Sequence, residues 1–344
     1  MRILVTGNRG YIGSVLAPML QERRHEVVGL DTGYYDDSTL PPVPEPVRQI
    51  VKDVRDIEAE DLAGIEAVIH LAALSNDPLG ELAPGLTEAI NRDASITLGQ
   101  LAKTAGVNRF VYASSQSMYG ASDTEVEIDE TTGNAQNAIT SYARTKWEAE
   151  VALKELNGDA FTVVCMRPST VFGASPRLRS DIVFNNFVGC AYTTGKIEIK
   201  SDGTPWRPVV HVQDVSNAFI AALEAPRELV NGESFNVGIE SGNYTVRDLA
   251  EAAARAVPGC ELAFTGEYKD NRSYRVSFKK ILATLKDYYK PQWDLDKGGK
   301  ELVEFYKTIN FTEEMFRGRD TVRLKAISHL QENGTLTNDL RWKK

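Results

Sequence analysis

Residues 1–14 read MRILVTGNRGYIGS. Arg2 to Thr6 is a short apolar run containing Val5, suited to a buried strand. Glycines follow at Gly7, Gly10 and Gly13, and a helical apolar pattern opens at Tyr11, Ile12, Val15 and Leu16. Strand, glycine turn and helix, in that order, are the setting of a dinucleotide site. Each glycine then has a physical job: a tight turn, a close approach of backbone to pyrophosphate, and close packing of helix on strand. The helix start adds free N–H groups and a partial positive charge. The spacing is G-x-x-G-x-x-G, and any tight strand-to-helix turn selects glycine, so confirmation has to come from the rest of the chain.

The chain has 344 residues, 42% of them hydrophobic and 25% charged, enough for one large or two modest cores. A net charge of −9 argues against a nucleic-acid surface. Phosphorylated ligands would have to be met by individual arginines. No apolar run reaches the length of a bilayer span, and the N-terminus reads as a strand, not a signal peptide. Cys165, Cys190 and Cys260 form no C-x-x-C pair and read as buried small hydrophobes of a reducing compartment, so a cytoplasmic protein is expected. Four scattered histidines give no support for a metal site, and none is expected.

The second strand, 26–30, ends at Asp31, about 20 residues past the turn, where a carboxylate accepts the ribose 2′-hydroxyl of NAD and repels the 2′-phosphate of NADP. Arg9, a cation in the turn, is the counterweight that could face a 2′-phosphate. Residues 41–46, PPVPEP, form a stiff connecting loop. Further strands are predicted at 47–51, closing on Asp53-Val54, and at 67–71, closing on Ala72-Ala73. Two more are predicted at 110–113, running into SSQSMYG at 114–120, and at 161–166. Helices are predicted over 85–105, carrying Asn91, and 141–156. This alternation predicts βαβ units and a parallel sheet with ligands beyond the carboxyl ends of its strands, where Asp31, Asp53, Ala73, Ser115 and Arg167 all fall. The expected fold is α/β: a Rossmann-type doubly wound parallel sheet over 1–166, to which some later segments return, and a smaller C-terminal substrate lobe over 167–306. A helical extension, 307–344, follows. The lobe carries an arginine pair, Arg177 and Arg179, and predicted helices at 181–194, 214–225 and 245–257.

Tyr142 and Lys146 are four apart on the 141–156 helix, which puts them on one face. Free tyrosine titrates near ~10 and is a poor base at neutral pH. A neighbouring ammonium and a cationic nicotinamide both favour the phenolate, which can then take a proton from a substrate hydroxyl. The Ser115 hydroxyl can share that hydrogen bond. Alone, Tyr-x-x-x-Lys is common on helix surfaces. After a glycine turn, an acid and a serine cluster it reads as catalytic.

TGNRGYIG at 6–13, Asp31, Asp53-Val54, HLAA at 70–73, SSQSMYG at 114–120, YARTK at 142–146 and RPSTVFG at 167–173 together resemble the extended short-chain dehydrogenase/reductase family, in its NAD-dependent nucleotide-sugar epimerase/dehydratase branch. The resemblance runs to about residue 306. It implies NAD along Gly7, Gly10, Tyr11, Ile12, Gly13, Asp31, Asp53, Val54, Leu71, Ala72 and Ala73, and a catalytic triad of Ser115, Tyr142 and Lys146, with Lys146 also on the nicotinamide ribose. It implies a nucleotide-diphosphate sugar met by Ser115, Ser117, Thr170, Arg207 and Arg272. Arg207 lies in GTPWRPVVHVQDV at 203–215, whose Asp214 is expected to cap the next helix. Arg272 lies in NRSYRVSF, where Arg275 is the alternative. Trp206 is open between stacking on the ligand and core packing, and His211 reads as structural.

Departures from the family pattern bear on the reaction. Gln116 and Ser117 stand where the 4,6-dehydratases carry Asp and Glu, and the decarboxylases' Glu at the Ser117 position is also missing. Thr170 stands where Asn is common, and Phe172 where Tyr is. The resemblance therefore leans toward epimerisation, at C4. Alternatives are a dehydratase or keto-sugar reductase, a non-catalytic dinucleotide sensor, which would be expected to lose Tyr142 and Lys146, and a reductase of a non-sugar carbonyl, which needs no diphosphate arginines. A homodimer paired through 91–105 and 141–156 is implied. For the extension, docking on the lobe, closing over substrate and a dimer contact are all open.

Overall fold

Among the residues described by the computed structural model (1–75, 77–81, 83–121, 125–267 and 273–343), twelve strands sort into three sheets. In chain order they are β1 (Arg2–Thr6), β2 (Glu26–Asp31), β3 (Arg48–Val51), β4 (Ala67–His70), β5 (Arg109–Ala113), β6 (Thr162–Pro168), β7 (Thr170–Phe172), β8 (Lys196–Ile199), β9 (Trp206–His211), β10 (Ser234–Val237), β11 (Asn243–Thr245) and β12 (Glu261–Phe264). The large sheet runs β3-β2-β1-β4-β5-β6-β10, and every pairing in it is parallel. This is the expected doubly wound α/β sheet. Strand order reverses between β1 and β4, and a crevice opens beyond the carboxyl ends of the strands at such a switch point.

Strands in such a sheet are covered on both faces, which is why β1 is apolar over Ile3, Leu4 and Val5 and β6 over Val163, Val164, Cys165 and Met166. Leu16 and Leu20 from the Gly13–Glu22 helix pack one face together with Phe219 and Leu223 from the Val212–Glu224 helix. Leu98 from Ala94–Thr104 and Leu153 from Ser141–Glu155 pack the other. The lobe has its own core. Phe184, Val188, Leu249, Leu302 and Tyr306 meet between the helices Val183–Thr194, Val246–Ala256 and Leu295–Thr308, beside the small sheets β7-β9-β11 and β8-β12. Among the described residues no helix is long and apolar enough to cross a membrane.

Three expectations need correction. The helix predicted over 85–105 is broken into Pro84–Thr87, a π turn at Glu88–Asp93 and Ala94–Thr104. The π turn carries the fully buried Asn91, whose amide bonds both backbone groups of Leu74: Leu74 N–H donates to Oδ1 at 2.8 Å and Nδ2 donates to the Leu74 carbonyl at 3.1 Å. Widening the helix by one residue frees Asn91 to pin the segment after β4, a common use of π-bulges near sites. Asp214 does not cap its helix. That helix starts at Val212 with His211 at the cap, and Asp214 instead accepts the N–H groups of Gln292 and Trp293 at 2.9 and 3.0 Å. Arg167, expected on the ligand rim, is buried against Glu150 at 2.6 Å.

The extension lies on both parts of the molecule. Thr312 caps Glu313–Arg317, whose Phe316 joins the lobe core. The chain then crosses to the large sheet, where Ile327, Leu336 and Leu340 join the cluster beneath β4 and β5.

Candidate active site

The glycine turn is built from backbone contacts that admit no side chain. Gly7 has a φ of +71°, and a Cβ there would lie 2.8 Å from the Ala72 nitrogen. A Cβ on Gly13 would lie 2.3 Å from the Gly7 carbonyl oxygen. At Gly10 a Cβ would meet only that oxygen, at 3.1 Å. It would otherwise enter the cleft that Gly10 lines. No side chain caps the helix start at Ile12; Ser14 and Val15 N–H already bond the Gly10 and Ile12 carbonyls at 3.1 and 3.0 Å, so what a ligand meets is the glycine turn that precedes them. A cradle of backbone, closed to side chains and open to an anion, fits a dinucleotide's diphosphate.

Asp31 is held at the end of β2, accepting from Arg9 N–H at 3.1 Å and Gly33 N–H at 2.8 Å. Burial pushes its carboxyl above the usual range, against those two donors. The Arg9 side chain is tied to Asp36 at 2.5 Å, and Asp36 also holds Arg177 at 2.9 Å. The cation that could have met a 2′-phosphate is thus neutralised by a carboxylate. Asp53 is gripped by Arg55 through contacts of 3.0 and 2.6 Å, with Arg341 at 3.4 Å. Burial raises its carboxyl, but the hydrogen bonds and charge of Arg55 outweigh this and hold it below the usual range.

Beyond β5 the Ser115 hydroxyl caps a short turn, accepting from Ser117 N–H at 3.2 Å and Ser117 Oγ–H at 2.9 Å. Tyr142 is brought opposite by the Ser141–Glu155 helix, whose start is fixed by Thr140: its hydroxyl accepts from Ala143 N–H and donates to Asp77 at 2.7 Å. Burial holds the Tyr142 phenol above its ordinary value, although a hydrogen bond with Ser115 and the charge of Arg179 pull it down and Asp77 pushes it up; the lowering expected from Lys146 is not among these effects. Lys146, one turn along, donates Nζ–H to the Ala113 carbonyl at 2.7 Å, and burial pushes it down to about 7.

That depressed value has a consequence for stability. The unfolded chain holds the Lys146 proton up to the ordinary value of 10.5, the folded chain only to about 7. Between these values the unfolded state binds more protons, so the contribution of Lys146 to stability rises with pH. In Lys146→Met that contribution is gone. Wild type should gain on the variant from pH 7 upward in paired thermal melts, and parallel curves would contradict the assignment.

All seventeen sequence-predicted site residues that fall among the described ones line a single cleft of about 750 Å³. It takes in the glycine turn, the ends of β2, β4 and β5, the Tyr142 helix and, from the lobe, Thr170 and Arg207. Arg272 lies outside the described residues. Arg207 projects from β9 with Nη1 donating to the Trp206 carbonyl at 2.8 Å. Arg275 is engaged elsewhere, stacked 4.8 Å over the Trp206 ring and paired with Glu127 at 3.1 Å. Gln116 is buried, its amide donating to the Arg167 carbonyl at 2.9 Å and accepting from Ser169 Oγ–H at 3.1 Å. Where the dehydratase pattern has an acid, this chain has a neutral amide satisfied at both ends.

Sequence reasoning gave no role to Asp77, Arg179, Asp181, Tyr35 or Arg323, which line the same cleft. Arg179 forks onto Asp181 at 3.0 and 2.9 Å and reaches Ser75 Oγ at 3.3 Å. The arginine pair at 177 and 179 was its only signal. Tyr11, besides lining the cleft, bolts the turn to the lobe: its hydroxyl donates to the Gly173 carbonyl at 2.7 Å and accepts from Asn185 at 3.1 Å.

The sequence model of the NAD dependent epimerase/dehydratase family matches residues 3–238. The UDP-glucose 4-epimerase of Corynebacterium glutamicum is 29% identical over 266 residues, 73% of this chain and 79% of that protein. The 3-beta-hydroxysteroid dehydrogenase of Mycolicibacterium neoaurum is 31% identical over 235 residues, 65% of this chain and 61% of that protein. Among solved structures, MoeE5 in complex with UDP-glucose and NAD superposes with a TM-score of 0.74 at 26% identity, covering 90% of this chain and 99% of that one.

Proposed function

The chain belongs to the NAD-dependent epimerase/dehydratase family, and we propose that within it this protein is a nucleotide-sugar epimerase working through a transient keto-sugar. The observation that carries this is Tyr142 and Ser115 lining one cleft with the neutral Gln116, whose amide is bonded at both ends, beside them. The cofactor supplies reversible hydride acceptance. Tyr142 takes the proton of a ring hydroxyl, at C4, and returns it after the sugar has turned over. Ser115 holds the oxygen through both steps, and Lys146, when charged, favours the phenolate. One acid–base group suffices because hydride leaves and returns at one carbon.

Arg207 forks onto the substrate diphosphate. It is also what weighs against a neutral substrate of the steroid kind, which brings no anion for a guanidinium to recognise. Dehydration is the second reading, because Asp77 places a carboxylate in the same cleft as Tyr142. The protein acts in the cytoplasm as a homodimer paired through 91–105 and 141–156, a state that light scattering reads directly.

The deciding experiment incubates the protein and NAD with UDP-, dTDP-, GDP- and CDP-sugars, followed by chromatography and mass spectrometry. The expected product has unchanged mass, a new retention time and no net cofactor consumption. Loss of water would move the assignment to dehydration, and a gain of two hydrogens with consumption of reduced cofactor to a reductase.

A further inference from the structure

The extension returns to the cleft at Arg323, the first residue of the Arg323–Glu332 helix. Although charged, Arg323 is only 2% exposed. Its guanidinium lies 4.1 Å over the Tyr35 ring, and Nη2 donates to the Arg177 carbonyl at 2.7 Å. Nη1 has no hydrogen-bond partner among the described residues.

A buried guanidinium with an unused donor is costly unless an anion completes it. The neighbouring carboxylates are already engaged. Asp181 is forked by Arg179, Asp36 is shared by Arg9 and Arg177, and Asp31 takes two backbone donors. Arg9 and Arg177 share Asp36 and Arg179 takes Asp181, whereas Arg323 is paired with no carboxylate among the described residues; Arg177 Nη1 is a second buried donor without a partner there. The stacking of Arg323 on Tyr35, which follows the Asp31 end of β2, and its bond to the Arg177 carbonyl seat it at the Asp31 end of the cleft.

Further along, 336–342 forms a small loop bridged between Leu336 and Trp342 that ties down the other end of the cleft. Arg341 pairs with Asp53 and Asp56. Arg55 donates to the Asp339 carbonyl at 2.9 Å, Tyr34 O–H donates to the Leu340 carbonyl, and Trp342 Nε1–H donates to the Thr32 carbonyl at 2.8 Å. Thr32, Tyr34 and Asp53 all line the cleft.

We propose that residues 323–342 are a clasp built into the cofactor site: Arg323 binds the NAD diphosphate and the 336–342 loop slows cofactor release at the adenine end. This rests on the NAD assignment above. A chain that returns NAD to its starting state in each cycle has no need to exchange it, and a covalently continuous clasp serves retention.

The test measures NAD affinity and release by calorimetry and stopped-flow fluorescence in the full chain. Arg323→Met keeps the packing over Tyr35 and removes the charge. It should weaken NAD roughly tenfold or more, the loss of a charge-assisted hydrogen bond, while UDP binding stays unchanged. Arg323→Lys should recover part of the loss. Arg341→Ala, which leaves Asp53 its contacts with Arg55, should speed NAD release with little change in melting temperature. Unchanged NAD affinity in Arg323→Met, or a loss confined to UDP, overturns the diphosphate assignment, the latter placing Arg323 on the substrate. Unchanged release in Arg341→Ala overturns the clasp even if Arg323→Met should fail to fold. Wild-type protein that binds no NAD would overturn the cofactor reading as well, a different result from a variant that binds it normally.

Discussion

Replacing Tyr142 by Phe should lower turnover by about two to four orders of magnitude and leave NAD bound at nearly wild-type affinity. The substitution removes one oxygen and no packing: the ring, its place on the helix and the close approach of Gly80, whose Cβ would sit 3.1 Å from the Tyr142 Cβ, are kept. What goes is the group that carries the proton and its hydrogen bond with Ser115. Single-turnover assays report the loss, and cofactor titration reports the retained site. Full activity in this variant would overturn the mechanism. The contrast with Ser115→Ala is informative, because there the base remains and only the second hydrogen bond to the substrate oxygen is lost, so a smaller fall is expected. A Ser115→Ala loss as deep as that of Tyr142→Phe would mean that the two hydroxyls act as a unit.

Features carried by short spacings were legible. A glycine every third residue, an acid at the end of β2 and Tyr-x-x-x-Lys are local patterns, and each places its residues on one strand end or helix face without help from the rest of the fold. Features set by distant partners were not. Asn91 breaks its helix because Leu74, in another element, needs both backbone groups met. Asp214 follows β9 as a cap would, but the backbone of Gln292 and Trp293 reaches it first. Arg323 lies outside the stretch that resembles the family, so no motif flagged it, and only the fold shows that its helix starts inside the cleft. Arg167 is the plainest case. Its position at the end of β6 suggested the ligand rim, but its side chain leaves toward the Ser141–Glu155 helix, into a partner no spacing rule connects to it.

That partner supports the largest stability effect expected outside the glycine turn. Arg167 and Glu150 are 3% and 1% exposed at their side chains. Arg167 Nη2 meets Oε1 at 2.6 Å and Nε meets both oxygens at 3.1 Å; Ser234 Oγ–H adds a bond of 2.6 Å to Oε1, and Arg167 Nη1 donates to Tyr119 O–H at 2.8 Å. Burial raises the Glu150 carboxyl, and Arg167 more than reverses this, so the acid titrates below its ordinary range. The stability it contributes is therefore present above the unfolded carboxyl's pKa and is lost as pH falls through the folded one. Glu150→Ala leaves a desolvated guanidinium with no counter-charge and should cost about 3–5 kcal/mol in denaturant unfolding. The same loss should reach the site, because the Arg167 carbonyl holds the Gln116 amide beside Ser115. Removing both charges is a different perturbation. In Glu150→Leu/Arg167→Met no ion is left buried, and stability should return to within about 1–2 kcal/mol of wild type. If the double variant is as unstable as Glu150→Ala, the pair is a source of net stability and not merely a desolvation cost that its two halves cancel. If stability returns but turnover does not, the pair's contribution lies in the register of β6 against β5, which positions Ser115 for the Tyr142 proton.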